Sequence, residues 1–438
     1  MSTYNPFFHR GAIRRAEEFH GREEQISQIL GLARNGQSVS IVGPRRIGKS
    51  SLLLHLRRSS TRSALGISPE KMVVALVDCQ ELGGSPPEEV YEALMTSIME
   101  SSAIKEMITS KVERPGTYRS LDLCLGELYR SGVSVIVMLD EFELLAANKR
   151  LTPYFFARLR GLTTKYGLAY LTASQRPLFD ITADEEILSS PFFNIFVTLS
   201  LGLFTDDEAY RLFDKRLEGT GIDFSPALRD YLIQFVGPHP FFLHIAGYHG
   251  FTASVESRTS GGIGDFSALD APIEIEADSH LSYLWHNLSQ EEQYCLTILD
   301  GPIDPMRLLE QQCLVSSEYE GYLYTSTILK RFIRKQRVQG VIQAGPFVID
   351  SHRHQVHADG QELSLTTSQF ELLTRLGSQF GQVVSGAQLE TAVWGDALLD
   401  DPDRLKTLIK RLRRAIAPYD GWIISERGVG YALREPQS

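Results

Sequence analysis

Ser38-Val39-Ser40-Ile41-Val42-Gly43-Pro44-Arg45-Arg46-Ile47-Gly48-Lys49-Ser50 decides the first half of the fold. A short apolar strand runs into a glycine-bounded loop, and an apolar helical stretch follows it. Glycine at both ends lets the backbone wrap until several N–H groups point at one phosphate, and the helix adds its positive dipole end. In such a loop Lys49 reaches the β/γ oxygens and Ser50 holds Mg²⁺. The expected ligand is therefore ATP or GTP, with Gly43 to Ser51 wrapped around its phosphates. Arg45 and Arg46 keep three readings open: a phosphate clamp, a solvent-facing pair, or contact with a neighbouring subunit.

Working outward, Met72 to Val77 forms a second apolar run ending in Asp78, and Pro87 to Ser101 reads as a helix. Val133 to Leu139 is continuously apolar, as a strand buried on both faces should be, and it ends in Asp140-Glu141. A carboxylate at that strand end, beside a phosphate loop, is where Mg²⁺ coordination is needed. Asp140 is assigned to magnesium with Ser50; Glu141 is assigned to polarising the attacking water, with Lys49 as its catalytic partner. A further strand, Gly167 to Thr172, runs into Ala173-Ser174-Gln175-Arg176-Pro177, whose polar residues are placed to sense the γ-phosphate.

Together Phe19-His20-Gly21-Arg22-Glu23, the phosphate loop, Leu139-Asp140-Glu141, Ser174 to Pro177 and Gly237-Pro238-His239-Pro240 resemble a STAND-type ATPase, a signalling branch related to AAA+ proteins. The resemblance spans residues 5 to 250. It implies that Gly21 and Arg22 border the nucleotide base, that Arg176 is the strand-end sensor arginine, and that His239 and Pro240 are lid residues touching nucleotide. Where that lid motif usually carries a second glycine this chain has Pro238, so the backbone there cannot take the same positive φ.

Capping signals at Thr205-x-x-Glu208 and Ser225-Pro226 predict the helices of a lid. Thr252 to Gly264, rich in serine and glycine, reads as a loop and a boundary. A compact unit begins at Leu281, with Ser289-x-x-Glu292 capping a helix and Gly321 to Thr325 as a hairpin element. By position it resembles the winged-helix segment that follows the lid in STAND proteins. Its last helix carries Lys330, Arg331, Arg334, Lys335 and Arg337, a pattern read as a solvated face, with nucleic-acid contact as the alternative.

Beyond Gly340 short alternating strands, Phe347 to Asp350 and Gln355 to Ala358, meet a hairpin turn at Asp359-Gly360, with Glu362 to Leu365 returning. Helices follow from Thr366-x-x-Gln369, from Ser385-x-x-Gln388, and from Pro402 to Ile416. In the last, Leu405, Leu408, Ile409, Leu412 and Ile416 share one face. Arg404, Lys406, Lys410, Arg411, Arg413 and Arg414 must therefore point elsewhere, a basic stripe suited to a major groove. A two-glycine hairpin, Trp422 to Leu433, completes the region.

Residues 345 to 435 resemble an OmpR/PhoB-type winged helix through Leu365-Thr366-Thr367-Ser368-Gln369-Phe370, the Val393-Trp394-Gly395 corner, Ile409 to Arg414, and Arg427-Gly428-Val429-Gly430-Tyr431. The resemblance implies base-edge contacts by Thr407 and Arg411, phosphate contacts by Arg404, Lys410, Arg413 and Arg414, and a minor-groove contact by Arg427. Two departures stand out: Ala432 replaces a residue that is often basic, and Asp400, Asp401 and Asp403 crowd the start of the helix. Those acids favour the helix end but repel phosphate, so weak monomeric affinity is expected.

Bulk properties fit these motifs. The chain has 438 residues, long enough for about three domains, and a net charge of −10, so DNA binding must come from a local stripe rather than overall charge. Cys79, Cys124, Cys295 and Cys313 are too scattered for a zinc knuckle or a disulfide framework. His352, His354 and His357 read as surface residues beside a hairpin rather than metal ligands. No apolar run approaches the ~20 residues that span a bilayer, and Met1 to Pro6 carries no signal-peptide pattern, so cytoplasm is the expected location.

The expected fold is an α/β P-loop ATPase, a parallel sheet with an inserted strand, over 1–200, with a helical lid over 201–250. A linker and winged-helix-like module over 251–340 and a C-terminal winged helix-turn-helix over 341–438 follow. The expected function is a nucleotide-switched transcription regulator with slow ATPase activity, binding ATP, Mg²⁺ and double-stranded DNA and assembling with copies of itself. The alternatives are an AAA+-type DNA remodeller or replication-initiator-like loader, and a degenerate ATPase fused to an ordinary repressor.

Overall fold

The computed structural model describes residues 4–7, 11–100, 116–181, 191–257, 264–319, 321–395 and 403–436. They belong to two compact units, Met1–Ile273 and Glu274–Ser438. In the first, apolar runs become strands of one parallel sheet: β1 Ser38–Val42, β2 Met72–Asp78, β3 Ser134–Asp140, β4 Ala169–Ser174 and β5 Phe196–Ser200. Their order is β2-β3-β4-β1-β5. The strand inserted in sequence, β2, thus lies at an edge, while β4 separates the phosphate-loop strand from the acidic one. The carboxyl ends line up, with Asp78 beside Asp140, and Val42 beside both Ser174 and Ser200. Loops leaving these ends converge on one rim, where open α/β sheets bind ligands.

Parallel strands need crossover helices. Helix α1 (Glu23–Arg34) precedes β1, and α2 (Lys49–Arg57) leaves the phosphate loop. Helices α3 (Pro87–Met99), α4 (Tyr118–Arg130) and α5 (Pro153–Tyr166) cover one face of β2 and β3. Alternate residues Val73, Ala75, Val77 and Val135, Val137, Leu139 point into that layer. There they meet Leu94, Leu125, Phe156 and Leu159, all nearly sealed from water. Truncating Phe156 to alanine there would cost about 3–5 kcal/mol.

The lid consists of α6 (Asp206–Leu217), α7 (Pro226–Val236) and α8 (Pro240–Ser257). Thr205 and Glu208 form the expected reciprocal cap, and Ser225 accepts from the Leu228 N–H. The N-terminal segment locks into this bundle: Phe7 stacks on Phe224 and meets Phe213 edge-on, while the Asn5 side-chain amide donates to the Tyr248 carbonyl. Sequence reading ended the lid helix near Gly250, but α8 continues through Ser257. Thr252, Ser254 and Ser257 donate their hydroxyls to carbonyls four residues back, so the polar run satisfies itself within the helix. The rest of the expected loop, 258–263, lies outside the described residues.

In the second unit, α9 (Asp270–His286, which begins just before the boundary), α10 (Gln290–Ile298), α11 (Ile303–Gln311), a β6–β7 hairpin (Val315–Glu318 and Gly321–Tyr324) and α12 (Thr327–Ile333) form the middle module. Then β8 (Val341–Ala344), β9 (Phe347–Asp350), β10 (Gln355–Ala358) and β11 (Gln361–Leu363) form an antiparallel sheet in reverse order. Helices α13 (Thr367–Ser378), α14 (Gly386–Trp394) and α15 (Arg404–Ala415) follow. The strands β12 (Val383–Ser385), β13 (Ile423–Glu426) and β14 (Gly430–Leu433) close the domain, with β14 in the middle. Gly430 permits this closure, because a Cβ there would lie 1.9 Å from the Val384 carbonyl oxygen. Among the described residues, no helix is long and apolar enough to cross a membrane.

Candidate functional site

The phosphate loop ends where α2 begins, and Lys49, its first residue, is buried. The Lys49 ammonium donates to the Gly43 carbonyl at 2.8 Å and the Pro44 carbonyl at 3.0 Å. Burial pulls its pKa below the ordinary lysine value, against the opposing pull of Glu141, Glu143 and Asp140. Across from it, burial pushes the Asp140 carboxyl up, although the Ser50 hydroxyl donates to it and pulls the other way. A hydroxyl and a carboxylate are hard oxygen donors of the kind Mg²⁺ prefers, and Mg²⁺ usually completes its shell with water and substrate phosphate. The residues present therefore fit a magnesium nucleotide: Ser50 and Asp140 would hold the ion, which would neutralise phosphate charge.

Glu141 adopts a left-handed conformation, φ 50° and ψ 44°, and its N–H donates to Asp140 Oδ1 at 3.1 Å. Such a conformation costs energy in a non-glycine residue and concentrates at functional sites. It places Glu141 on the lining of a cavity of about 280 Å³ together with Arg22, Arg45, Arg46, Ile47, Gly48, Lys49, Ser50, Ser51 and Pro240. Gly21, Gly43, Pro44, Asp140, Arg176 and His239 are not on that lining. Asp140 reaches the site through Ser50. Arg176 uses its carbonyl to accept from Ser174 Oγ, and the buried His239 ring packs against Phe242.

From the lid the cavity is lined by Pro240, one of the two expected lid residues, and by Phe241 and His244. Positions i, i+1 and i+4 share a helix face, so the period of α8 carried this signal, whereas His239 precedes the helix. The positive φ expected near the lid motif falls on Gly237, at 70°.

Gly21 and Arg22 act as a bracket between the sheet and the lid. Both have positive φ, and a Cβ on Gly21 would lie 2.9 Å from Glu208 Oε1. That same oxygen accepts the Arg22 N–H at 2.6 Å. The Arg22 guanidinium donates to the Gly202 and Leu203 carbonyls and stacks 4.6 Å over Phe204. Arg22 thus grips the segment joining β5 to the lid while still bordering the cavity. Nearby His20 is held neutral, its pKa lowered to about 4 by burial and by Arg216 and Lys215.

Several residues of the site carry no motif signal. Glu143 is largely enclosed: Oε1 accepts the Gln175 N–H at 3.2 Å, and burial pushes its pKa up. It joins the end of β3 to the end of β4. Ala12 and Ile13 also line the cavity, with the Ile13 N–H donating to Ser51 Oγ at 2.9 Å. Nothing periodic in residues 11–13 announced that contact.

In the C-terminal domain, α15 buries Leu405, Leu408, Ile409 and Leu412 as its period requires. Thr407, Lys410, Arg411, Arg414 and Arg427 are exposed. Two of the expected phosphate contacts are engaged within the domain. Arg413 donates to the Ile423 carbonyl at 2.6 Å and to Ser425 Oγ at 3.0 Å, tying α15 to β13. Arg404 stacks 4.2 Å over Trp394 and pairs with Glu390 at 3.7 Å, tying α15 to α14. Asp403 pairs with Lys406, whereas Asp400 and Asp401 lie outside the described residues. Among the described residues, no group of three or more His, Cys, Asp or Glu could hold a metal ion, and the histidines at 352, 354 and 357 form none.

Comparison with known proteins matches these two regions separately. The Novel STAND NTPase 2 family matches residues 26–301, and the family described as transcriptional regulatory protein, C terminal, matches residues 360–433. The sensory transduction protein RegX3 of Mycolicibacterium smegmatis is 35% identical over 97 residues, 22% of this chain and 42% of its own length. The response regulator ArlR of Staphylococcus saprophyticus is 30% identical over 109 residues, 24% of this chain and 50% of its own length. The chain therefore spans half or less of these curated relatives. The Walker-type ATPase paby2304 of Pyrococcus abyssi is similar in fold, with a TM-score of 0.53 and 18% identity over 75% of this chain and 99% of that one. With a P-loop ATPase fold matched over more than half its length and a response-regulator-type winged helix behind it, the chain belongs to the Novel STAND NTPase 2 family.

Proposed function

We propose that the protein is a nucleotide-switched, DNA-binding transcription regulator acting in the cytoplasm. The observation that carries this reading is the pairing, in one chain, of a lid-covered cavity around Lys49 and Glu141 with an exposed basic helix in a response-regulator-type domain. ATP with Mg²⁺ is the proposed ligand. Gly43 to Ser51 wrap the phosphates, Ser50 and Asp140 take the metal, and Glu141 orients the attacking water. Gly21, Arg22, Pro240 and His239 belong to the base and lid side, and Arg176 to the γ-phosphate sensor. On DNA, Thr407 and Arg411 read base edges, Lys410 and Arg414 hold phosphate, and Arg427 enters the minor groove.

A switch needs unequal affinity of ATP and ADP for two conformations. The Arg22–Glu208 bracket supports such a device, because it ties the base-side turn to the lid's first helix. Assembly of several copies on tandem sites would multiply weak single contacts. The test is turnover with and without double-stranded DNA, alongside particle mass in ATP analogue and ADP. Slow hydrolysis indifferent to DNA, with a mass that depends on nucleotide, is expected. Fast hydrolysis stimulated by DNA would make the protein a remodeller or loader instead.

A further inference from the structure

Two features of the sequence find no place in the nucleotide site or the DNA-reading surface: the basic helix after the middle module and the histidines beside the first C-terminal hairpin. The fold brings part of that helix together with one of those histidines, His357. Lys330 on α12 and Arg334, the residue that closes that helix one turn later, line a cavity of about 210 Å³ together with Asp359 of the β10–β11 turn and His357. Both cations converge on a single oxygen: Asp359 Oδ1 lies 3.2 Å from Lys330 Nζ and 2.7 Å from an Arg334 guanidinium nitrogen. Among the described residues, Asp359 is the only acid on the lining. Two cations share one carboxylate, and His357 Nδ1 is buried without a hydrogen-bond partner.

Apolar side chains, Leu299, Leu323 and Val348 among them, also line the cavity. The volume of about 210 Å³ equals that of about seven liquid waters, room for a compact organic acid. We propose that this cavity binds a small organic acid, a carboxylate on a short apolar body, whose carboxylate takes the place of Asp359 on Lys330 and Arg334. Asp359 then serves as an internal stand-in for the ligand. Its second oxygen accepts from the Tyr419 hydroxyl at 2.9 Å, and Tyr419 follows the recognition helix by four residues. Occupancy is therefore felt at the end of α15, which gives the DNA-reading domain an input separate from nucleotide.

The test uses the full-length protein without nucleotide or DNA, so that its outcome is independent of the proposed switch. Benzoate is the probe, benzamide its neutral isostere, and inorganic phosphate the anion without an apolar body, each titrated by calorimetry. Benzoate is expected to bind at roughly millimolar strength, and benzamide at least tenfold more weakly. Asp359→Asn removes the internal competitor and is expected to tighten benzoate several-fold. Asparagine tolerates the left-handed turn conformation, φ 49° at this position, so the variant keeps its fold. Lys330→Ala with Arg334→Ala is expected to abolish benzoate binding. Equal binding of benzoate and benzamide, phosphate binding as tight as benzoate, or no tightening in Asp359→Asn would each overturn the proposal.

Discussion

The Arg46 guanidinium carbon lies 5.3 Å from the ring centroid of Phe241, so the phosphate loop touches the first turn of the lid helix directly. Arg46 also has a left-handed backbone, φ 67°, which aims the side chain out of the loop toward α8. Phe241→Ala removes the contact, worth about 0.5–1 kcal/mol. ATP release is expected to quicken about two- to fivefold, read by stopped flow with a fluorescent analogue. An unchanged release rate would mean that the lid is held by other contacts.

Lys49 and Glu141 should separate binding from chemistry. Lys49→Ala deletes the buried ammonium and is expected to abolish triphosphate binding in an equilibrium titration. Glu141→Gln keeps the side-chain shape, so ATP should bind normally while turnover falls by about a hundredfold or more. Normal hydrolysis in Glu141→Gln would point to Glu143, the carboxylate at this strand end that is not assigned to magnesium.

Burial raises the carboxyls of Asp140 and Glu143 in the folded protein. A raised native value means that, as pH falls, the native state takes up these protons before the unfolded chain does. Mild acid should therefore relieve the cost of two buried charges and stabilise the nucleotide-free protein locally. The same protonation removes the magnesium carboxylate. Mg²⁺-dependent ATP affinity is expected to fall on acidification, starting above the ordinary carboxylate range, and Asp140→Asn should flatten that response. The check is calorimetry across pH with and without Mg²⁺.

Exposed and engaged arginines on α15 should behave differently. Lys410→Ala and Arg414→Ala are each expected to lower the salt slope of DNA binding by about one, uniformly across sequences. Arg411→Ala should instead relax sequence preference by about 1–3 kcal/mol. Arg413→Ala removes the donor to Ile423 and Ser425 and is expected to destabilise the domain by about 1–2 kcal/mol in a thermal melt. A melt unaffected by Arg413→Ala would return that residue to the phosphate-contacting set.

Local chemistry made much of this molecule legible beforehand. Strand β1 and the capping boxes at Thr205, Ser289, Thr366 and Ser385 lie where the residues say, because apolar runs and capping hydroxyls act within a few positions. The β4 strand begins two residues later than its apolar run because Gly167 closes the preceding helix in the left-handed conformation. Contacts made across long stretches of chain were hidden. Nothing near Arg22 forecasts that Glu208 will accept its N–H, and nothing near Lys330 forecasts Asp359. On the lid, Pro240 lines the cavity as expected, and Phe241 and His244 join it because the start of α8 decides which residues share its inner face.

The most direct measurement of the central claim is DNA binding by the full-length protein in three states: with a non-hydrolysable ATP analogue, with ADP, and without nucleotide, at one salt concentration and with Lys49→Ala as control. A nucleotide switch predicts affinities for genomic fragments that differ at least tenfold between analogue and ADP, with Lys49→Ala fixed at the nucleotide-free value. Identical affinity in all three states, with nucleotide demonstrably bound, would contradict it.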